Sequence, residues 1–162
     1  RSPLNTLFPE ARLHPFIELR TPVSVNRELL CALPAFAKGL LYDDDALSEA
    51  LDVTGGHTVD QRREAWRTAR TAGLTAPEIR TQCLQLLDIS QRGLSRIAAR
   101  DRLPEDETTF IAPLRHQVDA GRSLADEALE SLGDAPATSG DRRGLSKLVD
   151  HYYYAGARPD HS

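Results

Sequence analysis

The chain has 162 residues, 40% of them apolar and 27% charged, with 24 acidic against 20 basic side chains and a formal net charge of -4. That balance excludes wholesale disorder, and scattered arginines on an acidic chain exclude a nucleic-acid binder, which needs a clustered basic face. The longest apolar stretch, Leu29 to Tyr42, carries Pro34 and Lys38 and, at about 14 residues, falls short of a membrane span.

Taken in order, the chain opens with Pro3, Pro9 and Pro15 and then alternates. Leu13, Ile17 and Leu19 are apolar, whereas Arg12, His14, Glu18 and Arg20 are polar. Period two predicts a strand over Phe16 to Arg20 with one face on a core and one presenting polar groups; Pro15 makes it an edge or marks its start. After Pro22 the period changes to that of a helix. Asn26 is placed to cap a helix running to Leu41, apolar on most sides and therefore buried, with a kink at Pro34.

Asp43 to Asp45 suits the N-terminus of the next helix, Ala46 to Val53, which Gly55-Gly56 ends. Three further starts carry capping-box chemistry: Thr58 with Gln61, Thr75 with Glu78, and Ser123 with Asp126. The first opens a helix with Ala65, Trp66 and Ala69 on its core side, stopped by Gly73. The second opens the longest helix, with Ile79, Cys83, Leu86, Leu87, Leu94 and Ile97 on one stripe. Phe110, Ile111, Leu114 and Val118 form another apolar set behind the acidic run Glu105 to Glu107. The third start leads to Gly133. Residues 134 to 144 read as a loop, and Leu145 to Tyr154 as a last helix. The sum is one strand followed by six or seven helices. One strand cannot make a sheet, and the chain begins with Arg1 and contains no Met; it reads as a piece of a longer protein whose other strands lie elsewhere.

Strand alternation puts Glu18 and Arg20 on one face, about 7 Å apart along the chain. A carboxylate beside a guanidinium suits a phosphoryl-transfer site, the Glu on Mg²⁺ and the Arg on a phosphoryl group or a substrate carboxylate. The same pair equally describes a surface ion pair on an exposed sheet. Cys31 and Cys83, with no CxxC, read as core thiols in a reducing compartment, and no secretory signal opens the chain. His57, His116, His151 and His161 are isolated. Trp66 reads as core. No phosphate-binding glycine loop, nucleophile elbow or HExxH helix occurs.

The order of segments adds a resemblance. Leu7-Phe8-Pro9-Glu10-Ala11-Arg12-Leu13, Phe16-Ile17-Glu18-Leu19-Arg20, Cys31-Ala32-Leu33-Pro34-Ala35-Phe36 and Gly39-Leu40-Leu41-Tyr42-Asp43 come first. Leu86-Leu87-Asp88-Ile89, Asp106-Glu107-Thr108-Thr109-Phe110 through Pro113-Leu114, and Gly121-Arg122-Ser123 follow. Together they resemble the C-terminal third of the plant/proteobacterial type of glutamate–cysteine ligase. The resemblance implies a mainly α chain: the helical C-terminal part plus the last strand of an α+β catalytic domain like that of glutamine synthetase. Residues 1–25 would be that last strand segment, 26–133 the helical region, and 134–162 a loop and terminal helix. It further implies ATP as substrate, Mg²⁺ as cofactor, and a γ-glutamyl amide made through an acyl phosphate in thiol (glutathione) biosynthesis. Glu18 would be the metal ligand, Arg20 catalytic, and Thr6 and Arg12 substrate-binding. The partners would be the N-terminal part of the same enzyme, glutamate and cysteine, with no nucleic acid and no membrane, in the cytoplasm. One strand supplies too few ligands, so the chain alone would be inactive. Asn5, Phe36-Ala37, Thr21-Pro22-Val23 and the stretch from Gly133 to Gly144 depart from the family pattern. They leave open a related ligase that joins glutamate, or another carboxylate, to a different amine. A non-catalytic helical scaffold is the other reading.

Overall fold

The structure is a computed structural model and describes residues 11–13, 17–19, 25, 27–132, 146 and 149. The architecture is mainly α, as expected. The helices are α1 (Ala32–Leu41), α2 (Asp44–Gly55), α3 (Val59–Ala72), α4 (Pro77–Asp101), α5 (Ala112–Ala120) and α6 (Leu124–Leu132). Short 3-10 turns at Arg27–Leu29, Gly73–Thr75 and Glu107–Ile111 link them. The strand expected around Glu18 is present as β2 (Ile17–Leu19), and it has a partner that the sequence reading did not assign, β1 (Ala11–Leu13). The two form an antiparallel hairpin. The cap expected at Asn26, the stop at Gly133 and the loop from 134 to 144 lie outside the described residues. Of the terminal helix only Ser146 and Val149 are described, both helical.

Local chemistry explains the helix starts. Asp43 Oδ1 accepts from the Ala46 backbone N–H at 2.9 Å and caps α2. Thr58 and Gln61 form the full reciprocal box at α3, the Thr58 N–H donating to Gln61 Oε1 at 2.8 Å and the Gln61 N–H to Thr58 Oγ1 at 3.2 Å. Ser123 and Asp126 do the same at α6. Thr75 does not cap α4. Its hydroxyl donates backward to the Ala72 carbonyl at 2.6 Å, and α4 starts at Pro77 after an uncapped Ala76. Proline in the first turn has no N–H to satisfy, so the cap is dispensable there. The same logic moves the start of α1. Pro34 does not kink a helix running from residue 26; it falls in the first turn of a helix that begins at Ala32. Its ring would clash with the carbonyl four residues back in a longer helix, so the preceding stretch closes as a separate 3-10 turn.

α4 is the spine. Its buried positions are Leu87, Ile89, Ser90, Gly93, Leu94 and Ile97. Ala35, Leu87, Leu94, Ile111 and Val118 make one core cluster between α1, α4, the 3-10 turn at 107–111 and α5. α1 reaches this core through small residues, Ala32, Ala35 and Gly39, rather than through its leucines. A Cβ on Gly93 would overlap the Gly39 carbonyl, and one on Gly39 would overlap the Ser90 backbone. The two helices therefore cross backbone to backbone. Ser90 is fully buried, and its hydroxyl donates to the Phe36 carbonyl across the crossing at 2.9 Å.

Three core expectations fail for this reason. α1 is not buried all round: its small face is the inner one, and Leu41 at its far end is exposed. Cys31, at its N-terminus, is exposed rather than a core thiol; Cys83 is half-buried, and both are free. Trp66 is 56% exposed, because α3 contributes no buried residue at all.

Candidate functional site

The hairpin is the element that carries the sequence-predicted chemistry. Its register pairs Ala11 with Leu19, Arg12 with Glu18 and Leu13 with Ile17. The hairpin thus puts Arg12 at the position directly opposite Glu18, an arrangement that spacing along one strand did not reveal. Glu18 is half-buried. Alternation sends Leu19 to the other face, where it is 46% exposed. The core expected beneath that face is not supplied by the described residues. Arg20 and Thr6 lie outside the described residues. Of the four predicted site residues, then, the structure brings Arg12 and Glu18 to one register position and leaves the other two unplaced.

Among the described residues no group of three or more His, Cys, Asp or Glu side chains could hold a metal ion. A Mg²⁺ ion asks for near-octahedral oxygen ligation, and one strand carboxylate does not provide it. These residues do not by themselves fit a metal–nucleotide site.

The helical part holds a second polar assembly, which the sequence pattern did not reveal. Asp43 Oδ1 accepts two hydrogen bonds from Arg96, from Nε at 2.9 Å and from Nη2 at 2.6 Å, while still capping α2. The Arg96 hydrogen bonds hold the Asp43 carboxyl below the usual aspartate range, and the carboxylate in turn raises Arg96. Next to it Arg100 donates to the Tyr42 carbonyl at 3.3 Å. Lys38 Nζ reaches both carboxylate oxygens of Glu107 at 2.9 Å. Asp106 caps the adjacent turn through the Thr108 N–H and accepts from Ser95 Oγ, both at 2.9 Å. Each of these carboxylates is occupied by a cation, a hydroxyl or a backbone donor. The assembly ties the α1–α2 corner to the outer half of α4 and offers no base. Asp43 and the 105–107 run were legible as helix starts; their partners, 53 and 69 residues away, carry no local signal.

An open groove of about 550 Å³ lies between the end of α2, α3 and the first turns of α4, lined by His57, Gln61, Glu64, Thr68 and Gln82 among others. His57 Nδ1 sits 3.3 Å from the Thr54 carbonyl. No helix among the described residues is long and apolar enough to cross a membrane.

Comparison with known proteins gives a consistent result. Residues 1–150 match Glutamate-cysteine ligase family 2 (GCS2). The chain is 33% identical over 131 residues to the chloroplastic glutamate–cysteine ligase of Arabidopsis thaliana, covering 78% of this chain and 24% of that protein. The chloroplastic enzyme of Nicotiana tabacum is 31% identical over the same shares. The chloroplastic glutamate–cysteine ligase A of Oryza sativa subsp. indica is 37% identical over 97 residues, 57% of this chain and 20% of that protein. The chain spans about a quarter or less of the length of the curated relatives it matches. No solved structure matches it at a significant level.

Proposed function

The chain belongs to Glutamate-cysteine ligase family 2, and on that premise we propose that it is the C-terminal part of an ATP-dependent glutamate–cysteine ligase. The observation that carries the proposal is the family match over residues 1–150, which runs through the hairpin and helices α1 to α6. In such a ligase the glutamate side-chain carboxylate attacks the terminal phosphorus of ATP, giving an acyl phosphate and ADP. The cysteine amine then attacks the acyl carbon, phosphate leaves, and the amine gives up a proton as the amide forms.

On this reading residues 1–25 add the β1–β2 hairpin to the catalytic sheet, β2 being its last strand, 26–133 form the helical region that carries it, and 134–162 are a loop and terminal helix. Glu18 would supply one carboxylate toward Mg²⁺, which when bound would offset charge on the phosphates; the other ligands would come from the rest of the enzyme. Arg20 grips the phosphoryl group or the glutamate, and Thr6 and Arg12 stand on the substrate side. The opposition of Arg12 and Glu18 supports this assignment, since it sets a cationic residue and a carboxylate residue at one register position of the hairpin. A reducing compartment, cytoplasmic or plastid, suits two free thiols.

The test supplies the chain in trans to the N-terminal three-quarters of the Arabidopsis enzyme and follows ADP release. The chain alone is expected to turn nothing over. The pair is expected to release ADP only with both glutamate and cysteine present, and substituting other amines for cysteine reads the acceptor. Glu18→Gln should cut the rate at least a hundredfold, roughly 3 kcal/mol of barrier, with the far-ultraviolet circular dichroism unchanged. A pair that forms without turnover would support a non-catalytic helical module; full activity of Glu18→Gln would remove Glu18 from the site.

A further inference from the structure

α3 has a face that the proposed function leaves unused. At about 100° per residue, Val59, Arg62, Arg63, Trp66, Arg67 and Arg70 fall within one arc of about 140°, and all six are exposed. Every arginine of the helix is on this face. The opposite side, with Gln61, Glu64, Ala65 and Thr68, lines the groove toward α4. The two acids of α3 pair with the stripe, Asp60 at its rim with Arg63 and Glu64 from the groove side with Arg67. The Arg70 guanidinium lies 5.0 Å from the Trp66 ring centroid, stacked on it. Four arginines against two acids give α3 a charge of +2, which leaves -6 on the rest of a chain of net -4. A locally basic, aromatic-centred stripe stands on an otherwise acidic protein.

We propose that this face of α3 docks an acidic segment of a separate polypeptide, one that presents an apolar side chain between carboxylates. Arginine and tryptophan are the residues that dominate binding energy at protein interfaces, the ring giving rigid apolar area and the guanidinium paired contacts to carboxylates. Val59 and Trp66 form the apolar centre, and the arginines the charged border. A face with four arginines and two apolar side chains lacks the apolar, charge-poor centre of a permanent subunit interface and has the composition of a reversible contact. The helix is about 21 Å long at 1.5 Å per residue, so a segment of similar length engages the basic stripe alone. A long nucleic acid or a flat anionic membrane extends past it and meets the -6 on the rest of the molecule, within or near a Debye length of about 8–10 Å.

Trp66 is the single tryptophan of the chain, so its fluorescence reports on this face directly. The experiment titrates the full 162-residue chain with a synthetic peptide of about 14 residues, matched to the length of α3, that alternates glutamates with leucines. The expected result is a saturable blue shift of Trp66 emission that weakens at least tenfold as ionic strength rises from about 0.05 to about 0.5 M. The double variant R63E/R70E should weaken the peptide at least tenfold, R63K/R70K should retain most of the affinity, and R27E, the same charge reversal away from α3, should change nothing. All three substituted positions are exposed, and circular dichroism checks that the helices persist. No shift with the peptide, equal binding by R63E/R70E, or a stronger shift with a single-stranded oligonucleotide or phosphatidylserine vesicles would each overturn the proposal.

Discussion

The crossing of α1 over α4 and the solvent-facing α3 are opposite solutions to holding a helix in place. At the crossing, Gly39, Ser90 and Gly93 let two backbones touch, and a buried hydroxyl bridges them. α3 has no buried residue and is held by its ends and its surface: a complete capping box, a left-handed Gly73 at φ 54°, and short-range ion pairs. A 14-residue helix with such support is marginal on its own. The difference teaches where stability resides: the crossing should report on global unfolding, and α3 should open locally at much lower cost.

The sharpest way to break the comparison is Gly93→Ala. The added methyl has no room beside the Gly39 carbonyl and the Ala46 methyl, so the helices must separate. Overpacking of this kind costs about 3 kcal/mol, read as a lower urea midpoint; a loss under about 0.5 kcal/mol would mean that the backbones are not in contact. Next comes Asp43→Asn, which keeps a capping oxygen but removes the charge that Arg96 holds. The Asp43 carboxyl is held low when folded, so its contribution is present above the ordinary aspartate range and is lost as pH falls through the depressed value. The wild type should be the more stable near neutrality, and the two stability curves should converge in acid. Parallel curves across the whole range would disconnect Asp43 from Arg96.

Thr58→Ala removes the α3 cap and should cost that helix about 1 kcal/mol. The effect belongs in α3: amide exchange there should speed up while that of Leu87 to Ile97 stays as it was. Slower and faster exchange spread evenly over both helices would erase the distinction drawn above. The smallest effect is expected from Trp66→Ala, whose ring is mostly in water; a global change within about 0.5 kcal/mol is the ordinary result for an exposed site.

What the sequence made legible follows the same division. Contacts between near neighbours could be read: the Thr58 and Ser123 boxes, the Asp43 cap, Pro77 at the start of α4 and the period-two run around Glu18. What depended on partners distant in the chain could not. Trp66 and Cys31 look like core by residue type, yet the inner face of α1 is made of Ala and Gly, and α3 buries nothing. Thr75 has the letters of a capping box but sits before a proline that does not need one. The hairpin was half legible, since Ala11 to Leu13 is too short to announce itself, and so the position of Arg12 opposite Glu18 emerged only from the register. The ion pairs of Lys38 with Glu107 and of Arg96 with Asp43 span most of the helical part and leave no trace in local spacing.

Asp43 Oδ1 does two things at once, and this bears on the order in which the chain folds. The bond to the Ala46 N–H spans three residues, the bonds from Arg96 span 53. The short loop closes first, at small entropic cost, and in closing it orients the oxygen. When α4 later swings in, its guanidinium meets an acceptor whose rotamer is already selected, so less freedom remains to be lost at that step. A local turn thus prepares a long-range contact, and α2 is expected to be structured in the transition state ahead of its docking on α4.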